Sequence, residues 1–203
     1  MLLDLNFLIK KYDLKIKGVI HIGAHYGEEN ETYINNSISN LIYFEPLRKN
    51  FEILKQNVGE KTIIHNIALG NEEKEIKMYV ESKNKGQSSS ILKPSIHLKQ
   101  YPHIVFDEEE IVSMNKLDNI SFDREYFNMI NIDVQGYELE VFKGGVNTLE
   151  TVDYIMTEVN RAEVYENCPL IEELDDFLNK FNFTRVETTW DGVTWGDALY
   201  IKK

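Results

Sequence analysis

With 203 residues, 42% hydrophobic and 28% charged, the chain reads as a single domain (1–203), long enough to bury a core. A formal net charge of −12 argues against nucleic acid as a partner, because that binding draws its affinity from basic side chains. A single cysteine, Cys168, excludes an intramolecular disulfide or a cysteine zinc cluster and fits a cytoplasmic location.

The run from Met1 to Lys11 is too short and polar for a membrane span, and it lacks the basic start and small-residue cleavage site of a signal peptide. Apolar positions 2, 5, 8, 9 and 12 share one helical face instead, so residues 1–17 are expected to form an N-terminal helical segment. Its lysines, Lys10, Lys11, Lys15 and Lys17, read as a solvated surface. Next comes a strand, Val19 to Ile22, closed by Gly23-Ala24-His25-Tyr26-Gly27, a turn in which backbone N–H groups can approach a ligand. A polar helix over Glu28 to Ser37 leads to the strand Leu41 to Phe44, which ends in Glu45-Pro46. Leu47, Phe51, Leu54 and Val58 recur at helical spacing, Gly59 stops the run, and Thr62 to Ile67 reads as a third strand.

This βαβαβ order predicts an α/β fold with a mostly parallel sheet, helices on both faces, and ligands beyond the carboxyl ends of the strands. Residues 72–119 break the rhythm with a strand at Ile76 to Val80 and the polar segment Asn84 to Ser90, and this insertion is expected to act as a lid or substrate region. Strands at Phe127 to Ile132 and Val152 to Thr157 flank a helix over Tyr137 to Lys143. Phe183 to Thr188 and Asp197 to Ile201 form an antiparallel C-terminal pair.

Glu45 falls about 20 residues after the glycine turn, where an acid accepts hydrogen bonds from ribose hydroxyls. It can also simply cap the helix that follows. Asp133 and Glu158 end the next two strands, so carboxylates gather at this edge. The Gly-x-x-x-Gly turn lacks the middle glycine of a pyrophosphate loop, and no P-loop lysine motif is present, which disfavours a nicotinamide dinucleotide or ATP. An adenosine cofactor without phosphates and with a positive sulfonium, S-adenosylmethionine, suits the edge better.

The segments Val19 to Gly27, Tyr43 to Pro46, Asn66 to Gly70, Ile132 to Gly144 and Trp195 to Ile201 together resemble the FkbM family of class I S-adenosylmethionine-dependent methyltransferases. The resemblance spans most of residues 18–201 and implies a Rossmann-like methyltransferase sheet. It departs at Gln135, where the family usually has an acid, and carries His21 where many class I enzymes have an acid facing the methionine amino group. Carried over, it places Gly23, Ala24 and Gly27 with His21 on the methionine side, Glu45 at the ribose, and Asn66 and Ala68 beside the adenine. Asp133 to Glu138 would face the transferred methyl. S-adenosylhomocysteine is the implied product.

The implied chemistry is O-methylation of a sugar, glycolipid or glycan hydroxyl by in-line displacement. Amine methylation, or a cofactor-binding module without turnover, is the alternative. Asp133, Glu158 and His25 are the candidate bases, and Trp190, Trp195 and Tyr165 are candidate surfaces for a sugar ring. No metal is predicted, although Asp133, Glu158 and Asn160 carry oxygens suited to Mg²⁺. Either a monomer or a homodimer fits.

Overall fold

The computed structural model describes residues 2–59 and 62–203. In chain order the elements are α1 (Leu5–Tyr12), β1 (Gly18–Ile22), α2 (Asn30–Asn35), β2 (Asn40–Phe44), α3 (Arg48–Val58), β3 (Ile63–His65), β4 (Ala68–Leu69), β5 (Lys74–Glu81) and α4 (His97–Gln100). They continue with β6 (Phe106–Asn115), β7 (Met129–Ile132), α5 (Glu138–Lys143), α6 (Val146–Thr151), β8 (Tyr154–Asn160), α7 (Ile171–Asn179), β9 (Phe183–Asp191) and β10 (Trp195–Lys202).

β1 and β7 are buried along their whole length, as strands covered on both faces must be. Successive side chains point to opposite faces, so alternate residues feed two cores. Ile20, Ile22, Ile130 and Ile132 pack with Val141, Leu149 and Leu174 from α5, α6 and α7. Val19, Tyr43 and Met129 face Leu8 of α1, Tyr33 of α2 and Leu54 of α3. The resulting seven-stranded sheet has the order β3-β2-β1-β7-β8-β10-β9. Only β10 runs against its neighbours. Strand order reverses between β1 and β7, which opens a crevice beyond their carboxyl ends. No helix among the described residues is long and apolar enough to cross a membrane.

Two expectations shift, and the insertion holds a strand the sequence did not suggest. The strand expected over residues 62–67 stops at His65, because the Asn66 side chain turns back to donate to the Glu45 and Pro46 carbonyls at 3.0 and 2.8 Å. The chain then leaves for a separate three-stranded sheet, β4-β6-β5. The polar helix expected over residues 28–37 forms only at α2, where Ser37 at φ 62° ends it. In the insertion, β6 pairs antiparallel with the expected strand near Ile76 to Val80, now β5. The acidic run Asp107 to Glu110 hides this strand from propensity arguments, and exposure of Asp107, Glu108 and Glu109, with Glu110 half-buried, makes it tolerable.

Candidate active site

The turn after β1 is fixed by sterics. Gly23 sits at φ +76°, and a Cβ there would lie 1.9 Å from the Asp133 carbonyl oxygen. No other residue lets the two strand ends come this close. The Gly23 and Ala24 N–H groups both donate to the Phe44 carbonyl at 3.0 Å, stitching the turn to β2. Gly27, at φ +77°, lets the turn lie on α3, where a Cβ would meet Leu54 at 2.8 Å.

Glu45 is buried at the end of β2. One carboxylate oxygen accepts the His25 N–H at 2.9 Å and the other accepts the Leu47 N–H at 2.9 Å. Burial pushes its pKa up to about 7, with the two N–H donors opposing. Each oxygen keeps a lone pair for a further donor. The capping role and the ligand role considered for Glu45 are thus compatible.

Beyond β7 and β8 the carboxylates are held by side chains. Gln135 occupies the left-handed region at φ 55°, and its Nε2 donates to Asp133 at 2.7 Å and to Glu158 at 2.8 Å. Its Oε1 lies 2.7 Å from the Tyr165 hydroxyl, which is also 2.9 Å from the Ser88 carbonyl. The Ser90 hydroxyl donates to the Gln135 carbonyl at 2.7 Å. Glu138 accepts the Val134 and Gly136 N–H groups at 3.0 and 3.2 Å. Burial, with the Asp133 charge adding to it, raises the Glu158 carboxyl well above the usual range, and burial lifts Glu138 to about 7. Asp133, Glu138 and Glu158 offer oxygens within 4.8 Å of one another, donor chemistry suited to a hard divalent cation, yet the Gln135 amide already bridges two of them. Asn160 is buried with its Oδ1 unpaired.

His25, at φ 48°, places Nδ1 2.7 Å from Glu28 and Nε2 3.0 Å from the Lys85 carbonyl. Burial lowers its pKa, but these two acceptors outweigh that and raise it overall. Both ring nitrogens are engaged in this arrangement, so a base role for His25 would need Glu28 or the Lys85 carbonyl to release one of them. The neighbouring His21 is buried, its pKa is lowered by burial, and Nδ1 lies 3.3 Å from the Tyr33 hydroxyl.

Two clefts meet here. The smaller lies between Glu45, Pro46, Ile67, Leu69 and Ile91. The larger is bordered by His21, Glu29, Glu158, Tyr101 and Trp195. Gly23, His25, Gln87, Asp133 and Gln135 line both. Of the residues singled out from sequence, Ala68 lines the smaller cleft, and His21, Ala24 and Glu158 the larger. Gly27, Asn66 and Asn160 line neither. Gly27 seats α3 and Asn66 braces residues 45–46. The apolar slot at Ile67 and Leu69, the Gln135 bridge, and the clamp by Tyr165, Ser88 and Ser90 were not foreseen. Only the polar run Asn84 to Ser90 pointed toward the last.

A family model described as the methyltransferase FkbM domain matches residues 21–184. The chain belongs to the FkbM methyltransferase family. This FkbM protein is an S-adenosylmethionine-dependent methyltransferase, and it is 26% identical over 173 residues to the 2-O-methyltransferase NoeI of Sinorhizobium fredii, covering 80% of this chain and 71% of that one. In fold it is similar to magnesium protoporphyrin IX methyltransferase from Synechocystis with bound S-adenosylmethionine, at a TM-score of 0.55, 8% identity, and 98% and 76% coverage of the two chains. A TehB-like methyltransferase from Corynebacterium glutamicum is similar at a TM-score of 0.51 and 8% identity, with 97% and 86% covered. These likenesses support the mostly parallel sheet with an antiparallel C-terminal pair.

Proposed function

We propose that this FkbM methyltransferase transfers a methyl group from S-adenosylmethionine to a hydroxyl of a sugar, glycolipid or glycan. The observation that carries the reading is the meeting of the two clefts at Asp133. The smaller has an apolar slot suited to adenine and, in Glu45, an acceptor for ribose hydroxyls. At the other end His21, Gly23 and Ala24 border the methionine, and Glu28 and Glu29 supply the negative charge that an ammonium needs. The insertion, residues 72–119, covers the junction through Gln87.

When bound, the cofactor would supply an activated methyl whose carbon–sulfur bond is open to displacement by the acceptor oxygen. Positioning contributes most of the acceleration, about 7–11 kcal/mol in well-oriented systems. The hydroxyl proton passes to Asp133, the least buried of the three clustered carboxylates and the one shared by both clefts. Glu158, its pKa raised, holds Gln135 in place and so fixes Asp133. His25 latches the insertion through the Lys85 carbonyl.

The test is methyl release from labelled cofactor onto a panel of saccharides. Asp133→Asn should keep S-adenosylhomocysteine affinity within about threefold and lower kcat by about 10²–10⁴. Full turnover in that variant would point to an amine acceptor, and failure of wild-type protein to bind S-adenosylhomocysteine would overturn the cofactor assignment.

A further inference from the structure

The larger cleft has a chemical bias. Glu28, Glu29, Asp133, Glu158 and Asp191 all line it, and among the described residues no lysine or arginine does. Lys83 and Lys85 are exposed on the bordering loop, outside the lining of either cleft. Sites for phosphate use arginine forks, lysines or runs of backbone N–H groups to replace the water that a phosphate loses. A sugar phosphate entering this cleft would lose that hydration among five carboxylates, and His25, the lining histidine whose pKa is raised, is already paired with Glu28.

One wall of the cleft belongs to a sheet surface. Asp197 of β10 lies opposite Glu158 of β8, and Trp195 lies opposite Asn160, so these four side chains share one face, and of them Glu158 and Trp195 line the cleft. Trp195 stands two residues along the strand from the Glu158–Asp197 pair, roughly 6.8 Å, about the width of one pyranose ring. The indole is oriented by a hydrogen-bond chain. Trp195 Nε1 donates to the Tyr101 hydroxyl at 2.9 Å, and that hydroxyl donates to Asp191 Oδ2 at 3.2 Å. Trp195, Tyr101 and Asp191 all line the cleft. An indole meets the apolar C–H face of a sugar, and a carboxylate accepts from its hydroxyls.

We propose that this surface is a saccharide subsite in which Trp195 carries the ring and Asp191 takes its hydroxyls, and that it admits uncharged sugars and refuses phosphorylated ones. The inference rests on the O-methyl-transfer reading and names its acceptor. It also orders the chemistry. The methyl acceptor is a sugar already released from its nucleotide diphosphate, so methylation follows the glycosyl transfer that installs the sugar.

The test is calorimetry on protein loaded with S-adenosylhomocysteine, titrated with methyl hexosides, their 6-phosphates and nucleoside diphosphate sugars. At least one neutral glycoside should bind about tenfold or more tightly than its phosphate. Trp195→Ala should weaken that binding by about tenfold, while S-adenosylhomocysteine affinity stays within about twofold. Should Trp195→Ala fail to fold, Asp191→Asn, at an exposed rim position, serves in its place with a loss of about threefold. In a Trp190→Phe background, the Trp195 emission should shift on adding the neutral glycoside alone.

Equal or tighter binding of the phosphorylated sugars overturns the proposal, as does the absence of saccharide binding by protein that methylates some other alcohol. Failure to bind S-adenosylhomocysteine removes the underlying reading as well, and is distinguishable because it shows before any sugar is added.

Discussion

Glu45 and the Asp133–Glu158 pair sit side by side at the end of the same sheet, and they are held by different means. Glu45 is clasped by backbone, the N–H groups of His25 and Leu47. Asp133 and Glu158 are tied by a side chain, the Gln135 amide, which Tyr165 holds, while Ser90 of the insertion holds the Gln135 backbone carbonyl. A backbone clasp forms as soon as the strand and turn form. A side-chain network instead depends on four separated segments arriving together.

The largest test of that contrast is at the turn they share. Gly23→Ala brings a Cβ against the Asp133 carbonyl at 1.9 Å and strains φ +76°, so both halves should fail together. The expected loss is about 4 kcal/mol or more in urea unfolding, with cofactor binding abolished. Gly59→Ala, at φ 85° and ψ 159°, meets nothing within 4 Å and should cost only its backbone strain, about 1–3 kcal/mol. Equal losses at the two glycines would show that conformational strain, and not the approach of β1 to β7, makes Gly23 necessary.

A smaller effect separates the halves. Glu45→Ala should weaken S-adenosylhomocysteine binding by about 1.5–3 kcal/mol, the usual value of hydrogen bonds to a charged group. Unchanged affinity in folded protein would remove the ribose role. The same group gives a pH signature. Its pKa is about 7 in the folded protein against an ordinary 4.5, so the folded state retains a proton that the unfolded chain has released. The stability this confers on ligand-free protein is complete below pH 4.5 and is lost as pH rises through 7, roughly 3 kcal/mol in all. Cofactor affinity should move the opposite way, rising through pH 7 as the carboxylate ionises and can accept from the ribose. An unfolding profile from pH 4.5 to 8 with the same slope in wild type and Glu45→Gln would refute the assignment.

The backbone-built half was the legible one. Glycines that need positive φ, an acid at fixed spacing and continuous apolar strands are local signals, and they located Gly23, Glu45 and the parallel sheet. Local signals do not separate binding from bracing. Gly27 and Asn66 have the residue types of a binding turn, and in the structure one seats α3 and the other braces residues 45–46. The side-chain half has no short-range signature. Nothing near Tyr165 reveals that its hydroxyl reaches Gln135, 30 residues away, and Gln135 itself read only as a missing acid. β6 was hidden for a simpler reason, since four consecutive acids are a poor strand until one face of the pair is left to solvent.

The smallest prediction tests whether the insertion truly organises the second half. Ser90 is fully buried, and its hydroxyl both donates to the Gln135 carbonyl and accepts the Leu92 N–H at 3.0 Å, so it joins the loop to the turn that presents Asp133. Ser90→Ala deletes both bonds with little change in volume, and about 1 kcal/mol of stability should go. The informative readout is where the loss falls. Amide exchange should quicken across residues 82–92 and the turn at 134–136, while the His25 and Leu47 amides that clasp Glu45 keep their protection. Faster exchange spread evenly over both regions would mean that the two halves behave as one cooperative unit, and the division between a backbone-held cofactor half and a side-chain-held acceptor half would fail.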